Sequence, residues 1–380
     1  MQYRRFGRTG LRTSVFTLGL MRYMSDDRDR SAEVVHRAVS LGINHLETAH
    51  AYGTSEELLG YALRGLDRSR LILTTKGAPR TTYDEFMRSF DESMARLGVD
   101  YLDNFDIHGI NNAEKLRLAV DEKHTWRAVR RLMDAGTIRH IGFSTHGELD
   151  VILEAINTRL FESVNLHYYW FFQRNAPAVQ RAAELDMGVF IISPNEKGGM
   201  LFRPSETLGE LSRPFHPMNL AQRWLLAQPE VHTLSLGAAV PSDLDQHLLV
   251  ADQVGPLTAA EREALDRWSR RFQEVLQVPA VPRNEYCTVC YRCLPCPQRV
   301  NIPEVLRLRN VARAFDMKEY AAFRYNLLDG GDDWFHGHPG DRCTECGECL
   351  PRCPERLEIP RLLFDAHDLL KARPGRRLWG

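Results

Sequence analysis

From Phe16 to about Ala239, short apolar runs alternate with stretches whose apolar residues recur every three or four positions. The runs are Phe16–Leu20, Ile43–Ala49, Leu71–Lys76, Asn104–His108, His140–Ser144, Ser163–Tyr168, Gly188–Ser193 and Thr233–Gly237. Brief runs of this kind suit parallel strands covered on both faces. Between them, Ser31–Leu41 places Val34, Val35, Ala38 and Val39 on one stripe. The helical pattern returns at Glu56–Leu63, Tyr83–Leu97, Trp126–Ala135, Leu149–Ile156, Ala176–Leu185, Asn219–Leu226 and Leu244–Ala251. Parallel strands need crossovers, so eight strand-then-helix units predict an α/β chain folded as a (β/α)8 TIM barrel. An open doubly wound sheet is the competing arrangement. It would ordinarily carry a G-x-G-x-x-G turn after its first strand, and none is present. Met1–Ser14, with Gly7 and Gly10, predicts a short hairpin capping the barrel's bottom.

Thr258–Gln277 reads as one long amphipathic helix, and Val278–Arg283 (VPAVPR), with two prolines, reads as a linker. The expected domains are therefore a barrel over 1–277 and a smaller, mostly α-helical domain over 284–380. A length of 380 residues with 43% hydrophobic content allows one large core and a smaller one. The formal net charge of −1 gives no general attraction to nucleic acid or to anionic membranes. No apolar stretch approaches the roughly 18 residues of a membrane span. The basic start is followed by no apolar h-region, so a cytoplasmic protein is expected.

Cysteine placement changes the picture most. All eight cysteines lie after residue 286. They form Cys287-x-x-Cys290-x-x-Cys293-x-x-Cys296-Pro297 and Cys343-x-x-Cys346-x-x-Cys349-x-x-x-Cys353-Pro354. Three cysteines at three-residue steps can take three corners of a cubane cluster, and the fourth, before proline, usually reaches the other cluster. The spacing predicts two [4Fe-4S] clusters, one on Cys287, Cys290, Cys293 and Cys353, the other on Cys343, Cys346, Cys349 and Cys296. The first motif has two residues, not three, before its last cysteine, which makes Cys296 the unusual ligand. Paired zinc sites and disulfides are the alternatives; two tight clusters at three-residue steps favour metal ligation over disulfides, and the doubled Cys-Pro pattern favours clusters over zinc.

Glu47, Tyr52, Lys76 and His108 fall at the ends of the second, third and fourth strand candidates. Sites of (β/α)8 enzymes form at C-terminal strand ends, so these four are a candidate site. Taken singly, Tyr52 or His108 would more simply be a packed, hydrogen-bonded residue. With its surrounding segments the chain resembles the aldo-keto reductase superfamily over roughly residues 1–250. The matching segments are Arg5–Leu11, Leu46–Gly53, Thr75-Lys76, Ile107–Gly109 and Gly142–Thr145. With the cysteine region included, it resembles the ferredoxin-like branch of that family.

The resemblance implies a catalytic tetrad of Tyr52, Lys76, His108 and Glu47, in an enzyme that passes hydride from NAD(P)H to a carbonyl. A phenol with pKa about 10 is a poor proton donor at neutral pH unless tuned. A neighbouring Lys76 ammonium would lower it, and Glu47 would hold the lysine charged. The family usually has aspartate at the Glu47 position, and the extra methylene moves the carboxylate by about 1.5 Å.

For the cofactor, the resemblance implies Ser144, Thr145 and Asn165 at the nicotinamide, and Ser193, Lys197 and Gly198 along the pyrophosphate. Thr145 stands where asparagine is usual, and Asn165 where glutamine is. The loop from Gly237 to His247, including Asp243, would meet the adenosine ribose. It holds Asp243 and Asp245 but no Lys or Arg, so a 2′-phosphate is disfavoured and NADH should be accepted at least as well as NADPH. Tyr168–Phe172 is an aromatic run, half of it core by alternation. Trp170, with Tyr23 and His50, could line a pocket for a ring-shaped or sugar-like substrate.

The function expected is carbonyl–alcohol interconversion on a small molecule, with clusters serving electron transfer or the docking of a redox partner protein. Clusters move single electrons whereas nicotinamide gives hydride, and no flavin signature bridges the two. The alternatives are a redox-sensing or electron-transfer protein of low turnover, and epimerase-type chemistry with tightly held cofactor.

Overall fold

The computed structural model describes residues 1–21, 27–196, 199–278, 283–329 and 337–371. Tyr23, Lys197, Gly198 and the two linker prolines lie outside the described residues.

Tyr3–Arg5 (β1) and Arg12–Ser14 (β2) pair antiparallel, with Tyr3 opposite Ser14. Phe16–Gly19 (β3), His45–Glu47 (β4), Ile72–Gly77 (β5), Leu102–Ile107 (β6), Ile138–Ser144 (β7), Ser163–Leu166 (β8), Gly188–Ile191 (β9) and Thr233–Leu236 (β10) follow. These eight close into a barrel, and every neighbouring pair is parallel. All eight predicted strands are present, shifted at their ends by one or two residues.

The hairpin closes the bottom, as expected. Gly7 (φ +53°) lies so near the start of β9 that a Cβ there would meet the Gly188 nitrogen at 2.3 Å. The Phe6 ring, 2% exposed, packs against Gly188, where a Cβ would come within 2.8 Å of it. Just above, His45 bridges Thr17 and Thr74 at 2.8 Å each, and Thr17 meets Thr233 at 2.8 Å. The lumen is thus crossed by a satisfied polar layer, as burial of such groups requires.

Crossover helices are Arg28–Ser40 (α1), Ser55–Ala62 (α2), Tyr83–Leu97 (α3), Ala113–Ala119 (α4), Thr125–Asp134 (α5), Leu149–Asn157 (α6) and Ala176–Glu184 (α7). Later come Glu206–Ser212 (α8), Pro217–Leu226 (α9), Asp245–Leu248 (α10) and Ala259–Leu276 (α11). Local chemistry sets their ends. In α3, the Thr82 hydroxyl accepts from the Glu85 N–H, and Gly98 closes the helix at φ +64°.

By packing, the chain groups into two units, residues 1–194 with 222–256, and 195–221 with 257–380. The first holds the barrel. The second contains α8, α11, Ile302–Ala314 (α12), Lys318–Tyr325 (α13) and Ile359–Leu370 (α14). This grouping differs from a cut at the proline linker, because side chains of α11 pack within the second unit. Trp268 is fully buried and donates to the Ser212 hydroxyl at 3.0 Å. Phe272 stacks on Tyr286 and meets Phe315 edge-on. Arg309, 1% exposed, is flanked by Glu285 and Asp365, the pairing a buried guanidinium needs. Among the described residues no helix is long and apolar enough to cross a membrane.

Candidate functional site

The four predicted residues meet at the C-terminal ends of β4, β5 and β6. Every residue of β5 is buried, and near its end it turns Lys76 into the barrel mouth. There the Lys76 ammonium forms an ion pair with Glu47 and donates to the Thr48 carbonyl at 2.9 Å and the Tyr52 hydroxyl at 3.2 Å. Tyr52 sits in the turn between β4 and α2, fixed by its own N–H to Ala49 O and by its carbonyl accepting from Ser55. Its ring meets His108 edge-on, with centroids 5.6 Å apart. His108 is held just past β6 by its N–H to Gly77 O at 2.8 Å.

Burial dominates the electrostatics. It holds the Tyr52 phenol well above its ordinary value, and the Asp106 carboxylate adds to this. The lowering of the phenol expected from Lys76 is outweighed by burial. Burial pushes His108 down to about 3, with Lys76 and Lys115 adding, so the imidazole is neutral at neutral pH. Burial also lowers Lys76, and Asp106 opposes it.

The other predicted contacts divide. Both amide atoms of Asn165, 1% exposed, are buried without a well-formed hydrogen bond, although the amide lies beside Asp106. Ser144 is 4% exposed and accepts the Gly109 N–H at 3.1 Å. Gly237, just past β10, has open space where a Cβ would point, and Ser193 is exposed at φ +53°. Thr145 is a brace: its hydroxyl donates to Ile110 O at 2.7 Å and accepts from Gly147 at 3.0 Å. Asp243 is spent on its own loop, accepting from the N–H groups of Ala239 and Val240. His247 is fully buried beside Gln222 and the Phe16 ring.

Of the expected substrate residues, His50 turns to Glu92 on α3, 3.1 Å away. Trp170 is half-buried and edge-on to Phe171. Tyr168, Tyr169 and Phe171 are core. The sequence reading missed a chain in which His146 lies 2.5 Å from His167, which in turn meets the Tyr169 hydroxyl. It also missed Asn104 and Asp106. Their signal was available: Asn104 and Asp106 occupy alternate positions of β6, in step with His108 just beyond it, and so share a face.

The eight cysteines are all free thiols. Cys287, Cys290, Cys293 and Cys353 line one cavity; Cys296, Cys343, Cys346 and Cys349 line another. Both motifs wrap alike. The N–H groups of Val289 and Glu345 point at the sulfurs of Cys287 and Cys343, each at 3.4 Å. Positive φ recurs two and four residues after the first cysteine, at Val289 and Tyr291, and at Glu345 and Gly347. Among the described residues no three His, Cys, Asp or Glu converge closely enough for a single metal ion. Four sulfurs spread around a cavity suit a cluster several ångström across better than one zinc. Burial pushes the Cys287 and Cys293 thiols up to about 12, so binding iron must displace their protons.

Comparison with known proteins agrees with both parts. Residues 16–207 match the Aldo/keto reductase family, and residues 286–357 match the 4Fe-4S dicluster domain. An aldo-keto reductase of Mycobacterium sp. (strain JLS) is 33% identical over 193 residues, which cover 50% of this chain and 67% of that protein. L-galactose dehydrogenase of Arabidopsis thaliana is 27% identical over 70% of this chain and 94% of its own length. Among solved structures, the holo form of an aldo-keto reductase from Bacillus halodurans superposes with a TM-score of 0.61 at 25% identity. That match covers 70% of this chain and 96% of the other. On these matches, the chain belongs to the aldo/keto reductase family of oxidoreductases.

Proposed function

We propose that the barrel interconverts a carbonyl and an alcohol at Tyr52, using NAD(P)H. The observation that carries this is the placement of the Tyr52 hydroxyl against the Lys76 ammonium, itself held by Glu47, with His108 beside the ring. A nicotinamide held at Ser144 and Asn165 would supply the hydride. His108, neutral at working pH, donates an N–H to the carbonyl oxygen and orients it. Tyr52 gives that oxygen its proton. Lys76 stabilises the phenolate left behind, and solvent returns the proton. The buried amide of Asn165 and the Ser144 hydroxyl suit the nicotinamide carboxamide. The likeness to L-galactose dehydrogenase supports a sugar-like substrate, and Trp170 offers a face for such a ring.

The two four-cysteine cavities suit two [4Fe-4S] clusters, which supply one-electron chemistry when bound. We assign them to electron transfer or docking with a redox partner, and route no step of the carbonyl reaction through them.

The test uses anaerobically purified holo-protein, with NADH or NADPH oxidation followed against aldehydes, ketones and aldoses. Tyr52→Phe should cut turnover by about 10²–10⁴-fold while leaving cofactor affinity unchanged. Full activity in that variant would remove Tyr52 as the proton donor.

A further inference from the structure

In the parallel ladder of β5 and β6, Lys76 stands directly opposite Asp106. On the next strand Asp106 stands opposite Gly142, and Gly142 opposite Ser163. Directly opposed residues point to the same face, so this row runs Lys–Asp–Gly–Ser along the barrel wall. Gly142 leaves the space that the carboxylate fills. A Cβ there would lie 2.3 Å from Asp106 Oδ1 and 2.1 Å from Ser163 Oγ. Asp106 is 2% exposed and accepts from the Asn104 amide at 2.8 Å. Nothing in the proposed reaction yet uses this carboxylate.

We infer that Asp106 is a second counterion of Lys76 and a positioning residue of the carbonyl site, an inference that rests on the reductase reading above. Lys76 is 1% exposed, and a buried ammonium is costly unless compensated. Glu47 touches it; Asp106 acts across the ladder without a direct ion pair. The ionisable groups around this row are Lys76 on β5, Glu47 and His45 on β4, Tyr52 in the turn after β4, and His108 two residues beyond Asp106. Asn165 and Ser163 face it uncharged. His45 and His108 are both held neutral by burial, at about 3, so neither offers positive charge near pH 7. Lys76 is then the cation of the cluster.

Negative charge on Asp106 acts in one direction on both groups. It favours the ammonium of Lys76 and it favours the proton on Tyr52. A protonated phenol beside a lysine ammonium is the form that carbonyl reduction consumes. Asp106 therefore extends the loaded form to higher pH. Without it, the alkaline limb of the reduction profile must move to lower pH, whichever of the two groups sets that limb.

The experiment compares wild type with Asp106→Asn, both as holo-protein. The chain has six lysines, so ¹⁵N-lysine labelling resolves the Nζ signals, with Lys76 assigned by its loss in Lys76→Arg. In Asp106→Asn the Lys76 midpoint should fall by about one pH unit. The alkaline limb of carbonyl reduction should fall with it, and cofactor affinity should stay unchanged. An unshifted Lys76 midpoint overturns the inference. If wild type reduces no carbonyl, the reductase reading fails, and the Lys76 titration still decides the role of Asp106. Should Asp106→Asn not fold, the smaller, uncharged Asp106→Ser gives the same comparison.

Discussion

Glu47 and Lys76 form a buried ion pair between the ends of neighbouring strands, with side chains 4% and 1% exposed. The longer glutamate keeps the lysine because the barrel makes room on its other side. Its ladder partner is Gly19 on β3, where a Cβ would come within 3.2 Å of Glu47 Oε2. The extra methylene is absorbed there, and the contact with Lys76 survives.

Glu47→Gln should therefore hurt twice. It leaves a buried ammonium short of its contact anion, which costs about 3 kcal/mol of stability. It should also lower carbonyl reduction at least ~10-fold, since a less charged Lys76 no longer stabilises the phenolate. Glu47→Asp withdraws the carboxylate by about 1.5 Å and should be milder on both counts. Urea midpoints and steady-state rates measure the two effects, and a Gln variant as active as wild type would contradict them.

Acid should destabilise the barrel through its buried histidines. Burial lowers His45 and His108 to about 3 and His232 to about 4. Unfolded histidine has a pKa of about 6.5, so between about pH 6.5 and 4 the unfolded chain binds more protons than the folded one. Stability is present above about 6.5 and is lost as pH falls. The pH dependence of urea unfolding near pH 5, followed by far-UV circular dichroism, should contain about three protons taken up by these imidazoles against about one released by Asp106, whose buried carboxyl is raised to about 6, and His45→Asn should remove about one. A pH-independent urea midpoint over this range would be inconsistent with buried neutral imidazoles.

Each cluster should depend on one cysteine from the other motif. Cys353→Ser should remove the cluster of Cys287, Cys290 and Cys293 while sparing its neighbour, and Cys296→Ser the reverse. Iron should drop from about eight to about four per chain in either variant. Mössbauer and EPR spectra should differ between the two variants. Retention of about eight irons in Cys296→Ser would show that its sulfur is not a ligand.

Coenzyme choice should favour NADH or be neutral. The loop after β10 carries Asp243, tied to its own backbone, and Asp245, which pairs with Arg37 at 3.1 Å. Both charges are partly compensated within the loop's surroundings, so the bias against a 2′-phosphate should be modest. Asp245→Lys should raise kcat/KM for NADPH several-fold relative to NADH, worth about 1 kcal/mol. A wild-type enzyme strongly preferring NADPH would refute the reading of this loop.

Much of this architecture was legible in the residues alone. The strands are runs of local apolar residues, so Leu71–Lys76 or Gly188–Ser193 could be recognised without knowing their neighbours. The cysteine motifs were equally legible, because three-residue steps and a following proline constrain the chain locally, and the exchange of Cys296 and Cys353 between cavities matches that pattern. Glu47, Lys76 and His108 are legible because each lies at or just past a strand end, and Tyr52 because it follows in the turn after β4.

What required the folded chain were relationships across strands. Barrel closure sets the register, and register alone puts Asp106 opposite Lys76 and Gly19 opposite Glu47. Closure also turns Thr145 into a loop brace and buries His247 against Phe16, although both look available in the sequence. The phenol of Tyr52 illustrates the same division. Its lysine neighbour is what the family resemblance implies, but the desolvation that holds its proton depends on everything packed around it. Local pattern determines which elements form and which residues they carry; register and burial, which are properties of the closed barrel, decide what those residues touch and how tightly they hold a proton.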